Sequence, residues 1–486
     1  MPVSPSYRPD PRFTALGADF ADPVQAAAFP QAQLRFRNQL AAASVGLGGL
    51  SAAEWEAAFA RFEPLPDNQP QPLAMRYHGH QFRIYNPELG DGRGFLFAQL
   101  REAPSSQGGG GRLLDLATKG SGRTPWSRGG DGRLTLKGAV REVLAAEMLQ
   151  ALGVPTSRAF SVFETGEALA RHDEPSPTRA AVLTRLSHSH VRIGTFQRHA
   201  YEGRADNLAR LVDHVAENYH PHLLALEGPA RAVGLVQAAA EALARLTAAW
   251  MAAGFVHGVL NTDNLNLTGE SFDYGPYRFL PRYDLSFTAA YFDESGLYAY
   301  GRQPGQVFWS LQQLAASLTL LAEDEPLIAA LNSFGEAYRT ALAQALLARL
   351  GLAPRDPQAD EALMRLCLAA LDEGGEALGW EPMFFDWFCG QASEGRAMNG
   401  PRASLYRGEA FLAFRAALAG YAPDRPHRLA QAYFTGVEPQ ALLYDEIEAL
   451  WAPIAARDDW SAFEAKLAAI RAAGQAWALT PDALEG

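Results

Sequence analysis

Residues 254–281 read GFVHGVLNTDNLNLTGESFDYGPYRFLP. A His-Gly turn, an Asp-Asn pair and a second Asp are set into an otherwise apolar run made by Phe255 and Val256, Val259 and Leu260, and Leu265 and Leu267. Polar groups in such a run are costly to bury unless they are paired or hold a cation. The pattern predicts a strand–turn–strand segment. Asn264 and Asp273 are nine positions apart, a spacing at which a hairpin sets them face to face and offers two hard oxygens to one Mg²⁺. Asp263 then stands beside the ion rather than under it.

The segment resembles the catalytic loop of the protein-kinase-like fold. There, His-Gly-Asp-x-x-x-x-Asn supplies a base from its Asp and a metal ligand from its Asn. On that frame His257, Gly258 and Asn264 fall into place, but Val259 holds the base position and the carboxylate appears at Asp263. HGVLNTDN followed by FDYGP resembles the signature of the selenoprotein O family, pseudokinase-like protein adenylyltransferases. The resemblance implies an α+β, protein-kinase-like two-lobed fold. Its N-lobe is mixed and built on a β-sheet, its C-lobe is predominantly helical, and an extension stands at each end.

Bulk composition is ordinary for a soluble globular protein. A chain of 486 residues is long for one compact core, so two lobes or more are expected. The formal charge of −12 argues against a dedicated nucleic-acid partner, which needs a basic face to neutralise phosphates. Cys367 and Cys389 are the two cysteines, and both sit in apolar helical sequence that suits buried free thiols. The start, MPVSPSYRPDPRF, has no apolar core and fits neither a secretory signal nor a transit peptide. No apolar run approaches the ~20 residues that span a bilayer, residues 311–322 being the nearest candidate. No membrane partner is expected, and the cytoplasm is the default compartment.

Along the chain, residues 1–75 read as an N-terminal extension with helical segments at 30–43 and 51–62; Ser51 with Glu54 forms a capping box. The N-lobe follows over 76–196. Strand-like sequence at 75–100 contains the glycine loop Gly90-Asp91-Gly92-Arg93-Gly94. Such a loop lets backbone approach phosphate closely, although a plain hairpin turn is its commoner use. A connector at 108–111, a strand at 113–117 and an amphipathic helix at 139–152 come next. Between the last two lies GSGRTPWSRGGDGR, rich in Gly and Arg and poor in residues that pack. Strands return at 157–163 and 180–185. His188 and His190, like His220 and His222, read as surface or hydrogen-bonded residues, since no third metal ligand stands at a fitting spacing. Residues 197–395 form a helical C-lobe carrying the catalytic loop, with 282–305 in the place of an activation loop. A helical C-terminal extension closes the chain over 396–486.

Arg93, Lys119, Arg123, Arg128, Arg133, Arg185 and Arg192 crowd into these loops in a chain that is otherwise acidic. Guanidinium forks suit phosphate oxygens, which points to a polyphosphate ligand; the alternative is a solvated basic surface. In the kinase-like plan Lys119 binds phosphate and Glu142 holds it, whereas the bland reading of Glu142 is an exposed helix charge. The resemblance implies ATP bound in reverse by Gly90, Gly92, Arg93, Lys119, Asp131, Gly132, Arg185, Arg192 and Asp273. It implies Mg²⁺, with Mn²⁺ as the alternative, on Asn264 and Asp273. Asp263 becomes the catalytic base toward a Ser, Thr or Tyr hydroxyl of a protein substrate, and His257 a structural brace. A true kinase and a non-catalytic nucleotide-binding scaffold are the other two readings. Departures are mild: Ala117-Thr118-Lys119-Gly120-Ser121-Gly122 stands where the family often has Gln-Leu-Lys-Gly-Ala-Gly. The cysteines that some members carry near 292–296 and at the C-terminus are absent, which removes the expectation of thiol regulation there.

Overall fold

The computed structural model of the chain describes residues 4–103, 111–172 and 174–479. The connector expected at 108–111 and the last residues of the tail lie mostly outside these. The chain is mixed α+β. Among the described residues twelve strands are formed: β1 (Ala21–Pro23), β2 (Gln33–Arg37), β3 (Leu73–Met75), β4 (Gly79–Gln81), β5 (Ile84–Asn86), β6 (Leu96–Arg101), β7 (Leu113–Lys119), β8 (Leu134–Thr135), β9 (Arg158–Leu169), β10 (Thr178–Ser187), β11 (Phe255–Val256) and β12 (Arg278–Phe279). One antiparallel sheet runs β1-β3-β6-β7-β10-β9-β2, with β8 paired to β10. Every residue of β7 is buried, because both faces of the sheet are covered.

One cover comes from residues 4–65. Helices α1 (Gln39–Ser44) and α2 (Ala52–Phe59) bring Trp55, Phe59 and Phe62 onto Phe97, Phe160 and Leu116 of the sheet. The Ser51–Glu54 capping box is present. The helix expected over 30–43 is instead strand β2 followed by α1. The Gln33–Arg37 stretch pairs antiparallel with β9 through a register shift between Leu34 and Phe36, with Phe36 buried. With β1 and β3 also in the sheet, residues 4–75 are woven into it rather than appended.

The other cover is α3 (Leu136–Ala151), whose Thr135 side chain caps Gly138 N–H. This helix was expected to be amphipathic, yet twelve of its sixteen residues are buried. The reason lies far along the chain. After α4 (Ile193–Tyr201), α5 (Ala205–Asn218), α6 (Gly228–Ala252), α7 (Gln303–Ser317), α8 (Asp324–Leu331) and α9 (Ser333–Arg349) come α10 (Pro357–Leu378), α11 (Trp380–Asp386), α12 (Glu394–Asn399) and α13 (Glu409–Leu418), and then α14 (Tyr444–Arg457) and α15 (Ser461–Trp477). Helix α15 returns to lie on α3, with Arg471 Nε donating to Glu147 Oε2 at 2.7 Å.

Among the described residues only α6 is long and apolar enough to cross a membrane by length and composition, not 311–322. It is a core helix packed on α7, α8 and α9, with Trp250 and Leu243 fully buried. Gly254 ends it in the left-handed region (φ +61°), and a Cβ there would lie 2.6 Å from the Trp380 ring. The chain then turns into β11. Both Cys367 and Cys389 are free and buried.

Gly254→Ala is expected to destabilise the protein by about 2–4 kcal/mol, the sum of a left-handed backbone penalty and a clash with a rigid ring. Urea denaturation measures it; a loss below ~0.5 kcal/mol would show that the α6–β11 corner yields freely.

Candidate active site

A cleft of about 680 Å³ opens where the sheet meets the loop between β11 and β12. Two glycine loops form one wall and hold each other. Gly120 N–H donates to Arg93 O at 2.6 Å, and Thr124 Oγ1 to Asp91 O at 2.6 Å. Gly90 lies against Trp126 so closely that a Cβ would come within 2.4 Å of the indole, and Gly94 presses on the Thr118 carbonyl. The second loop, read as poor in residues that pack, has Trp126 as its anchor, with Nε1–H donating to Asp22 Oδ2 at 2.9 Å.

Lys119, Glu142, Arg185 and Asp273 form the charged heart of the cleft. In the β7–β10 ladder Arg185 stands opposite Ala117, two residues before Lys119, so the alternation of a strand puts both cations on one face. Lys119 Nζ donates to Glu142 Oε1 and to Asp273 Oδ1. Arg185 Nη1 donates to the same Asp273 oxygen at 3.3 Å. Glu142 is 3% exposed, which settles it as the buried partner of Lys119 rather than a solvent-facing charge. Asp273 has φ +65°. Burial opposes its ionisation, but Lys119, Arg185 and Arg93 hold its pKa well below the ordinary carboxylate range.

Asp263 is the opposite case. It sits in a 3-10 turn, Thr262–Asn264, and is buried. Its Oδ1 has no hydrogen-bond partner, and burial raises its pKa to about 6 against the pull of Arg192. Arg192 donates from Nη1 to the Asp263 carbonyl at 3.3 Å and from Nη2 to Asp91 at 3.1 Å. Its guanidinium lies 4.3 Å from the Tyr77 ring centre.

The cleft gathers Gly90, Gly92, Arg93, Lys119, Asp131, Gly132, Arg185, Arg192, Asp263 and Asp273. Asn264 is not on its wall: the amide Nδ2 donates to Val259 O at 2.9 Å. The expected hairpin exists only at its base, where Phe255 pairs Phe279 and Val256 pairs Arg278. Asn264 and Asp273 lie in the long loop beyond that ladder, not opposite each other across it. Arg128 and Arg133 line the cleft while Arg123 does not, and Arg133 is tied to Glu167 at 2.9 Å. His257 is a brace, with Nε2 bonded to Phe272 O at 3.1 Å and its backbone N–H to Gln303 Oε1 at 3.0 Å. His190 is buried and bonded to Asp115 rather than at the surface.

Several cleft residues had no site role in the sequence reading, Asp91, Arg171 and His172 among them. Asp91 was visible in the glycine loop but not as the partner of Arg192. Arg171 and His172 come from the β9–β10 connection, and Arg171 clasps Asp131 through Nη1 at 2.7 Å and Nη2 at 3.2 Å. Only the sheet brings residues 131 and 171 together.

A cleft with seven cationic side chains and four carboxylates, in a chain of net charge −12, is built for an anionic ligand. Comparison with known proteins gives the class. The family model described as protein adenylyltransferase SelO matches residues 5–471. A protein nucleotidyltransferase YdiU of Synechococcus elongatus is 51% identical over 70% of this chain and 68% of its own. The protein of that name from Gloeobacter violaceus is 44% identical over 93% of both chains. These relationships make the chain a nucleotidyltransferase. The chain belongs to the protein adenylyltransferase SelO family, in agreement with the resemblance carried by its motifs.

Two outcomes follow from the charges. Lys119→Met strands Glu142, and is expected to cost about 3–5 kcal/mol, of which Lys119→Met/Glu142→Gln recovers a part; denaturation of the pair of variants checks this, and equal losses would dismiss the coupling. Asp263→Asn removes a carboxylate that folding penalises. A carboxyl with a raised pKa weakens the fold above about pH 6, and the penalty fades as pH falls toward the ordinary value of about 4. The variant should gain up to about 3 kcal/mol at pH 7–8 and nothing at pH 4; thermal melts across this range that show no gain at pH 8 would refute a buried, uncompensated Asp263.

Proposed function

We propose that this chain transfers AMP from ATP to Ser, Thr or Tyr hydroxyls of proteins and releases pyrophosphate, on a protein-kinase-like scaffold. The observation that carries this reading is the division of labour between two carboxylates. Asp273 is locked in ion pairs and stays ionised, whereas Asp263 is buried, has an oxygen without a partner and is poised near neutrality. The strand lysine held by a helix glutamate supports the kinase-like scaffold.

In this reading the triphosphate enters with its β- and γ-phosphates toward Lys119 and Arg185, and the adenosine lies toward the mouth. Gly90, Gly92 and Gly132 let phosphate approach the backbone, and Arg93 and Arg192 neutralise its charge. The acceptor oxygen attacks the α-phosphorus while the bond from that phosphorus to the bridging oxygen of pyrophosphate breaks. Asp263 takes the hydroxyl proton. Asp131, clasped by Arg171, orients that arginine at the cleft wall. In this reading the ion is a hard divalent one, Mg²⁺ or Mn²⁺, which prefers oxygen donors. Asp273 offers carboxylate oxygen, and Asn264, its nitrogen spent on Val259 O, offers its carbonyl oxygen. These two residues would hold the ion, which when bound offsets phosphate charge.

Incubation with acceptor proteins and ATP labelled at the α or the γ position tests the reading. Label kept on protein from the α position is expected; γ label alone would indicate a kinase, and neither a nucleotide-binding scaffold. Asp263→Ala is expected to lower transfer by about 100-fold or more while ATP affinity, measured by calorimetry, stays within about threefold. Full turnover in this variant removes Asp263 from the chemistry.

A further inference from the structure

The stretch 78–86, HGHQFRIYN, is absorbed by none of the roles above, yet it abuts the Asp263 turn. It forms the β4–β5 hairpin, whose turn residues Phe82 and Arg83 are both left-handed (φ 49° and 62°). Such a turn ordinarily takes Asn-Gly, and bulky residues persist there only when their surroundings hold them. Here the surroundings are the catalytic loop, the 282–305 segment and α7. Phe82 N–H donates to Tyr298 Oη at 2.9 Å, Tyr298 donates to Asn261 Oδ1 at 2.6 Å, and Arg83 lies over the Trp309 ring at 5.2 Å.

Beside that strut is a closed ring. The His80 backbone N–H donates to Thr262 Oγ1 at 2.8 Å. The Thr262 hydroxyl donates to Gln197 Oε1 at 2.6 Å. The Gln197 amide donates to His80 Nδ1 at 2.7 Å. Each group spends its donor once, so the direction of every bond is determined. Thr262 and Gln197 are buried. The ring joins the hairpin, α4 and the residue next to Asp263. It sits tight: a Cβ on Gly79 would be 3.1 Å from Thr262 Oγ1 and 3.2 Å from Asp263 Oδ1. Asp263 Oδ1 itself makes no hydrogen bond, so what aims this carboxylate is the backbone that carries it.

We propose that His80, Gln197 and Thr262 are positioning residues for Asp263: their ring fixes the Thr262–Asp263 backbone against the hairpin and leaves the carboxylate oxygen free to accept a proton. This rests on Asp263 being the base, as proposed above. A small displacement of a reacting group costs about 100-fold in rate.

The test compares Thr262→Val, which keeps shape and loses the hydroxyl, with Thr262→Ser, which keeps the hydroxyl, using α- and γ-labelled ATP on the full chain. Thr262→Val is expected to lower kcat by about 100-fold with ATP affinity within about threefold, and Thr262→Ser to restore most of the rate. Wild-type rate in Thr262→Val overturns the positioning role alone. Equal losses of rate, ATP affinity and Tm in both variants also overturn it, as a merely structural contact. A wild-type chain that transfers neither label overturns the functional reading together with this one.

Discussion

Lys119 is the point at which three parts of the molecule meet. It ends β7, its partner Glu142 belongs to α3, and its other partner, Asp273, lies in the loop between β11 and β12. Taking such charges out of water costs several kcal/mol each, and only close, well-directed pairing offsets it. The pairing therefore specifies a geometry: α3 must present Glu142 under the sheet, and the loop must bring Asp273 over it. Arg185 adds a second cation on the same face of the sheet. The surplus of positive charge is left facing the cleft, where an anionic substrate can neutralise it.

The same network separates the two carboxylates of the cleft. Lys119, Arg185 and Arg93 keep Asp273 ionised, which suits it to hold charge and makes it a poor proton acceptor. Asp263 feels mostly its burial, with Arg192 as partial compensation. Two aspartates ten positions apart thus acquire different chemistry from their surroundings alone. Val259 stands where a kinase-like loop would have its base; in the reading proposed above that role falls to Asp263, with the hairpin of residues 79–86 packed behind it.

The ends of the chain complete this arrangement. Residues 4–65 shield one face of the sheet, and α15 shields α3, through Arg471 on Glu147 and the close approach of Gly474 to Ala151. The sequence reading took the first stretch for an extension and α3 for a half-exposed helix. Both errors have one source. Periodicity reports how a segment buries itself against its immediate surroundings, and the covers of these surfaces come from distant parts of the chain.

The motifs around Gly90, Lys119, Arg185, Arg192, Asp263 and Asp273 were legible in the residues themselves. Glycine that lets backbone come close, arginine suited to phosphate and carboxylate suited to proton transfer are choices written residue by residue. The family followed from those motifs. Tertiary structure alone decided that Glu142 is buried, that Asn264 turns its nitrogen to Val259, that Arg171 reaches Asp131 and that His80, Gln197 and Thr262 close a ring. Each of these depends on groups that sheet pairing and helix packing bring together from far apart in the chain, and a one-dimensional pattern does not encode a distance.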